Sequence, residues 1–284
     1  MSPPLRLWRA HGLGNDYAVL EGGPEVTAPL VRALCDRHRG CGADGILEPL
    51  DAAEADYGVR IWNPDGSLAE KSGNGLRIFA RWAQERLGAP RLFSVHTGFD
   101  SVVCEVDEDD ISVQMGRASF DPSRVPILAP APMLDEPWFV DGDALNVSAV
   151  GVGNPHLVVF VDGDLDDVDW RRFGPLLENN ARSPNRTNVQ FAKVLGPGQV
   201  EIRIWERGAG PTLASGSSSC AVAAVAVRTG RLDTGPIAVH MPGGTLTVIV
   251  DSSFGIVLRG PVEVIGVTEI DPRWLERRLR ERAD

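Results

Sequence analysis

Apolar and polar positions along this 284-residue chain fall into a few distinct patterns. "VCEVDEDDISVQM" (103–115) and "LTVIVDSSFGIVL" (246–258) alternate apolar with polar residues on either side of a polar turn, which predicts two β-hairpins. Residues 29–38 and 170–179 space their apolar side chains as one face of a helix. "CAVAAVAV" (220–227) is apolar on every face, so its helix is expected to be buried all round rather than laid on a surface. The proline-rich stretch 120–137 reads as a linker. The last segment, "DPRWLERRLRERAD", opens on an Asp-Pro helix signal and carries charges of both signs, which predicts a solvated C-terminal helix.

These patterns occur twice. "RIWNPDGSLAEKSGNG" (60–75) and "RIWERGAGPTLASGSS" (203–218) share Arg-Ile-Trp, a turn, and then Ser-Gly. Trp62 precedes Ser72 by the same spacing as Trp205 precedes Ser215. Upstream, "HGLGNDYAVLEG" resembles "VGVGNPHLVVFVDG", with Asn15 matching Asn154; downstream, His96 and His240 each open a strand pattern. Four landmarks in one order at near-constant spacing predict a tandem duplication. The expected fold is α+β: two pseudo-symmetric domains, each a curved sheet or barrel wrapped around one central helix. The expected halves are 1–119, joined by the C-terminal segment 264–284, and 120–263.

Each Ser-Gly loop opens a helix, where free backbone N–H groups and the positive end of the helix dipole favour a carboxylate or phosphate. Ordinary capping explains one such loop; two at matching places point to a ligand. Asn15, Asn63, Asn74, Asn154, Asn188, Glu206 and Arg207 are polar residues poorly explained as core. Asn63 and Glu206 follow the repeated tryptophans at matching positions. An amide donates and accepts, a carboxylate suits an ammonium, and a guanidinium suits a carboxylate, so the set suits an amino acid with a second charged end.

Composition narrows the setting. The formal net charge of −11 argues against nucleic acid and anionic membrane as partners. No apolar run approaches a membrane span, and "MSPPLRLWRAHG" lacks the pattern of a signal peptide, so a cytoplasmic protein is expected. Four cysteines without disulfide spacing fit a reducing compartment. Only two lysines accompany 26 arginines, which singles out Lys71 beside Ser72.

Taken together, "GLGNDY", "GADGIL", "NPDGSLAEKSGNGLR", "GNPHLVVF", "NRTNVQF" and "WERGAGPTLASGSSSCA" resemble the diaminopimelate epimerase family over roughly residues 7–260. The resemblance implies an active site between two pseudo-symmetric halves, a homodimer, and no pyridoxal phosphate, metal or nucleotide cofactor. It also implies inversion of one α-carbon of diaminopimelate, within lysine and peptidoglycan-precursor biosynthesis. It places substrate contacts on Asn15, Asn63, Asn154, Asn188, Glu206 and Arg207, and backbone anion sites on Gly73 and Asn74 and on Gly216 and Ser217. His156 and Glu206 fall on positions that tune or assist the bases.

The family's two bases are cysteines, and here both positions are serine: Ser72 and Ser215. A thiol titrates near ~8.5 and a hydroxyl nearer ~15.7, a gap of roughly 10 kcal/mol in basicity. Lys71 and His156 are the candidates to assist a serine, although an extended 70–72 would aim Lys71 away from Ser72. Cys220 lies inside the helix and reads as core. Three accounts stay open: cysteines replaced deliberately to disable an enzyme, a natural racemase or epimerase branch with altered bases, and an amino-acid-binding protein without turnover. A lyase or double-bond isomerase using Glu206, His156 or Lys71 as its only base is a further alternative on the same fold. "HGLGNDY" lacks the third glycine of a dinucleotide loop, and "CDRHRGC" lacks a fourth metal ligand.

Overall fold

The structure is a computed structural model that describes residues 4–280. The start of the N-terminal stretch (1–3) and the end of the expected C-terminal helix (281–284) lie outside the described residues. The chain opens with β1 (Arg6–Gly12), β2 (Asn15–Glu21), α1 (Ala28–Cys35), β3 (Gly45–Leu50), β4 (Tyr57–Trp62) and β5 (Leu68–Ala69). It continues through α2 (Gly73–Leu87), β6 (Leu92–His96), β7 (Ser101–Val106) and β8 (Asp110–Arg117). Then come β9 (Glu136–Val140), β10 (Asp143–Gly151), β11 (Pro155–Phe160), α3 (Trp170–Glu178), β12 (Asn188–Gly196), β13 (Gln199–Glu206) and β14 (Gly210–Thr212). Last are α4 (Gly216–Arg228), β15 (Gly235–Met241), β16 (Gly244–Val250), β17 (Gly255–Pro261), β18 (Glu263–Glu269) and α5 (Pro272–Arg280). Two compact units result: one runs to Val113 and resumes at Pro261, and the other spans Gln114–Gly260.

Within the first unit, β1 and β2 form an antiparallel hairpin, β2 pairs in parallel with β3 across α1, and β3 pairs antiparallel with β4. Strand β4 then pairs with β5 and, in parallel across α2, with β6. The second unit repeats this order. β10 and β11 form the hairpin, β11 runs parallel to β12 across α3, β12 pairs with β13, and β13 runs parallel to β15 across α4. The duplication read from Trp, Ser and Asn spacings is thus a duplication of strand pairing.

Strand alternation sorts each sheet into two buried faces. In the first unit Ala18, Leu20 and Ile46 pack with Leu30, Val31 and Leu34 of α1. The intervening residues of β1, β2 and β3 face α2 instead, and α2 also touches β7. In the second unit Leu157, Val159, Val189 and Phe191 pack against Phe173 and Leu177 of α3. Helix α4 is contacted by β10, β11, β12, β13, β15 and β16, and every residue from Cys220 to Ala226 is fully buried. Val222 and Val225 each contribute about 1.5–3 kcal/mol by leaving water, which holds the sheet curled around the helix.

Both expected surface helices form, with one boundary moved. α1 ends at Cys35 rather than at His38. Asp36 turns its carboxylate to the N–H groups of His38 and Arg39, a local bond that competes with the helix. Helix α5 is largely solvated, as its charge pattern predicts, with Trp274 Nε1 donating to the Arg39 carbonyl.

Candidate active site

The two serines occupy identical backbone settings. Ser72 caps α2 with extended backbone (φ −135°, ψ 115°), and its Oγ accepts the Gly75 N–H at 3.0 Å. Ser215 caps α4 (φ −146°, ψ 121°), and its Oγ accepts the Ser218 N–H at 3.4 Å. The cap leaves the first-turn N–H groups of Gly73 and Asn74, and of Gly216 and Ser217, without an intrahelical carbonyl to meet. Their dipoles favour a negative charge placed just outside the helix.

In the first unit a side-chain chain props the loop from behind. Asn74 Nδ2 donates to Asn15 Oδ1 and Asn15 Nδ2 donates to Asp44 Oδ2, both at 2.9 Å. Arg77, fully buried, donates to Asn74 Oδ1 at 2.9 Å and to the Gly73 carbonyl at 3.3 Å. Gly12 lies so close that a Cβ there would fall 2.7 Å from Arg77 NH2. The Asn74 side chain therefore points inward, and its backbone N–H is what the loop offers. Asn63 donates to Ser67 Oγ within the Pro64-Asp65 turn that leads to the loop. Lys71 carries its ammonium to Asp100 at 3.3 Å, on the path expected of a residue preceding an extended Ser72.

In the second unit, Asn188 Nδ2 donates to the Pro155 carbonyl at 3.0 Å while its Oδ1 accepts the Arg207 N–H at 3.0 Å. This ties the β10–β11 turn, where Asn154 sits, to the turn that carries Glu206 and Arg207. The buried carboxylate of Glu178 holds the same turn from the other side. It accepts Trp205 Nε1 at 2.7 Å and the Gly208 N–H at 2.8 Å, and it pairs with Arg186. Gly174 makes that approach possible, since a Cβ there would meet the Trp205 ring at 2.7 Å. The Arg207 side chain stays exposed, with one donor on the Asn185 carbonyl.

His156 lies fully buried on the α4 face of β11. Its Nδ1 is 3.3 Å from Gln190 Oε1 and its Nε2 is 2.8 Å from the Asn154 amide. Gln190 spends its NH2 group on Ser218 Oγ at 3.0 Å, and the Asn154 atom that meets His156 Nε2 is Oδ1. Burial pushes the imidazole down to about 3, against the Gln190 bond and helped by the Arg207 charge. The unfolded chain binds this proton near about 6.5 and the folded chain only near 3, so the contribution to stability is complete above pH 6.5 and is lost as pH falls towards 3. His156→Gln is expected to remove about 3 kcal/mol of the stability difference between about pH 7 and about pH 4, read from urea unfolding at the two pH values.

Asn15, Asn63, Lys71, Ser72, Gly73 and Asn74 thus cluster in the first unit, and Asn154, His156, Asn188, Glu206, Arg207, Ser215, Gly216 and Ser217 in the second. Sequence reasoning missed Tyr17, Asp44, Arg77, Glu178, Gln190 and Ser218, which hold these groups in place. Tyr17 alone had a readable signal: it stands two residues after Asn15, as His156 stands two after Asn154. Cys35 and Cys41 are both pushed up by burial, Cys35 to about 12, which makes thiolate ligation unfavourable there. Among the described residues, no three His, Cys, Asp or Glu side chains converge as a metal site.

The sequence profile described as Diaminopimelate epimerase matches residues 7–120 and 148–265. A diaminopimelate epimerase of Desulforudis audaxviator (strain MP104C) is 40% identical over 282 residues, covering 95% of this chain and 99% of that protein. Another, of Xanthomonas campestris pv. campestris, is 40% identical over 252 residues, covering 86% and 88%. Among solved structures, a hydroxyproline epimerase from Agrobacterium vitis superposes with a TM-score of 0.68 at 16% identity, over 95% of this chain and 93% of that one. A methylitaconate-delta-isomerase superposes with a TM-score of 0.63 at 12% identity, over 97% of both chains. These two share the fold. The matching profile over most of the chain and relatives at 40% identity place this chain in the diaminopimelate epimerase family.

Proposed function

We propose that this protein is a cofactor-independent isomerase that interconverts L,L- and meso-diaminopimelate, with both Ser-capped loops serving one α-carbon. The observation that carries this reading is the repeated pair of helix N-termini, each with two first-turn N–H groups on offer behind a capping serine. In this reading Gly73, Asn74, Gly216 and Ser217 hold the reacting α-carboxylate. Their dipoles spread the charge that develops when the α-proton leaves. Glu206 faces the ammonium, and Asn63, Asn154, Asn188 and Arg207 hold the distal carboxylate-bearing end, with Asn15 behind the first loop. One base removes the α-proton from one side, and the group at the other serine returns a proton from the opposite side. The electron pair stays on carbon between the two steps, and the centre inverts.

His156 and Glu206 are assigned to tuning the second half-site, with Lys71 as an alternative base in the first. A homodimer in the cytoplasm is part of the same reading. Among the described residues, no helix is long and apolar enough to cross a membrane. The serine pair favours one second reading, an amino-acid-binding protein with this pocket and no turnover, because a hydroxyl is a far weaker base than a thiol at neutral pH.

Calorimetric titration tests the substrate assignment directly. Both diaminopimelate isomers are expected to bind, and L-lysine, which lacks the distal carboxylate, at least about 30-fold more weakly. Equal affinity for lysine and diaminopimelate would sink the assignment of the distal end.

A further inference from the structure

We propose that Tyr17 is the proton-holding partner of Ser72, and that phenol and serine together do in the first unit what a thiol does in the family. The proposal rests on the reading of Ser72 as the group that faces the α-proton. Tyr17 Oη lies 3.1 Å from Ser72 Oγ, and either atom can donate. Ser72 Oγ already accepts the Gly75 N–H, which leaves one lone pair and one hydrogen to share between the phenol and the substrate. A phenol titrates near about 10, close to a thiol at about 8.5 and far below a hydroxyl at about 15.7. Of the two hydroxyls the phenol is much the stronger acid, so it, rather than the serine, is the group to hold the base form.

The fold places this ring deliberately. Tyr17 is 7% exposed and lies on the α2 face of β2, opposite Gly45 of β3 in a parallel pair. A Cβ at Gly45 would fall 2.3 Å from Tyr17 Cε1 and 2.7 Å from the Trp62 carbonyl, so glycine at 45 is what admits the ring. The hydroxyl then ends at the N-terminus of α2, where the dipole favours a phenolate. Beneath the same loop the buried Arg77 guanidinium adds positive charge. Several other charges on the surrounding elements are held in ion pairs. Lys71 is with Asp100, Asp16 and Asp44 share Arg37, Arg9 reaches Asp16, Glu48 accepts from Arg60, and His11 of β1 lies near Glu263.

The second unit supplies an independent parallel. His156 occupies the position of Tyr17 in the repeat, on the same face of the matching strand, opposite Asn188 as Tyr17 is opposite Gly45. Its ring reaches Ser215 through Gln190 and Ser218. Each unit therefore sets a titratable ring behind its capping serine, in direct contact in the first and, in the second, only by way of Gln190, the Ser218 hydroxyl and the Ser218 backbone N–H that Ser215 caps.

The step balances as a double proton transfer. As the α-C–H bond breaks, its proton goes to Ser72 Oγ while the Ser72 hydroxyl proton goes to the Tyr17 phenolate. The electron pair stays on carbon, and the negative charge moves from phenolate to substrate. The reverse sequence protonates the carbanion. Tyr17 acts through Ser72 and does not itself touch the substrate.

The test is the pH profile of α-proton exchange from L,L- and meso-diaminopimelate in D2O, from about pH 6 to about pH 10.5, for the wild-type protein and Tyr17→Phe. Wild-type exchange should rise with pH across the alkaline range, and Tyr17→Phe should lose that rise and about 100-fold in rate at its upper end, with diaminopimelate affinity by calorimetry within about twofold. In a Ser72→Cys/Ser215→Cys background the same Tyr17→Phe change should cost less than about threefold, because a thiol needs no relay. If Tyr17→Phe does not fold, 3,5-difluorotyrosine incorporated in a Tyr57→Phe background, leaving Tyr17 as the sole tyrosine, should move the alkaline limb to lower pH. Parallel profiles, an unmoved limb, or an equal loss in the cysteine background would overturn the relay. Exchange by the double-cysteine variant with none by wild type at any pH would overturn it while leaving the substrate site standing. No diaminopimelate binding by either would remove the functional reading and the relay with it.

Discussion

Cysteine placed at both loop tips, Ser72→Cys together with Ser215→Cys, is expected to raise α-proton exchange from diaminopimelate by about 10³-fold near neutral pH. The two hydroxyls sit where a base is needed, and a thiol lowers the pKa there by about 7. A Brønsted dependence of about one half converts that gap into roughly three orders of magnitude. The helix N-terminus adds to the gain, since a thiolate is stabilised by the dipole that the serine cap already faces. The single changes should be unequal. Ser215→Cys should give the larger part, because in the second unit the imidazole is held neutral and reaches Ser215 only through Gln190 and Ser218. In the first unit the phenol stands directly behind Ser72. Exchange rates by NMR, for both singles and the double, decide this; a double variant no faster than wild type would remove the two serine positions from the chemistry.

Arg207→Ala is expected to weaken diaminopimelate binding by about 10²-fold, the loss of a charge-assisted bond of roughly 3 kcal/mol. The fold should be nearly untouched, because the Arg207 side chain is exposed, its one hydrogen bond goes to the Asn185 carbonyl at the surface, and its backbone N–H, held by Asn188, is kept in the variant. Glu178→Gln should weaken binding as well, without touching substrate. The Glu178 carboxylate collects Trp205 Nε1, the Gly208 N–H and Arg186, and an amide can accept on one atom only. That leaves at least one buried donor unmet, at a cost of about 1–3 kcal/mol in stability, and frees the turn that aims Glu206 and Arg207. Calorimetry and thermal unfolding separate the two variants: Arg207→Ala should lose affinity alone, and Glu178→Gln should lose both. An Arg207→Ala protein with wild-type affinity would place the distal carboxylate elsewhere.

How far the sequence reaches differs between fold and site. The run at 220–227 announces its own burial, since no polar stripe is left for water, and the Trp-to-Ser spacing carries the duplication because strand, turn and cap must repeat together. Helix α1 stops at Cys35 against its periodicity because the Asp36 carboxylate wins the next two N–H groups, a competition that apolar spacing does not register. At the site, the capping serines and flanking asparagines are legible as residue types at turns. Their partners are not. Tyr17 meets Ser72 across 55 positions through the register of β2 on β3 and the packing of α2, neither of which is local. Glu178 closes a helix whose pattern reads as amphipathic surface, yet its carboxylate turns inward to a tryptophan and a turn nearly 30 residues on.

The measurement that bears most directly on the central claim is proton NMR of L,L-diaminopimelate with the wild-type protein in D2O. Two-base inversion at the capped loops predicts that meso product appears with deuterium at the inverted α-carbon. The same experiment with the double-cysteine variant should give the same product, faster. Tight binding with no deuterium at either α-carbon, in both proteins, would contradict the account and leave a binding site without this chemistry.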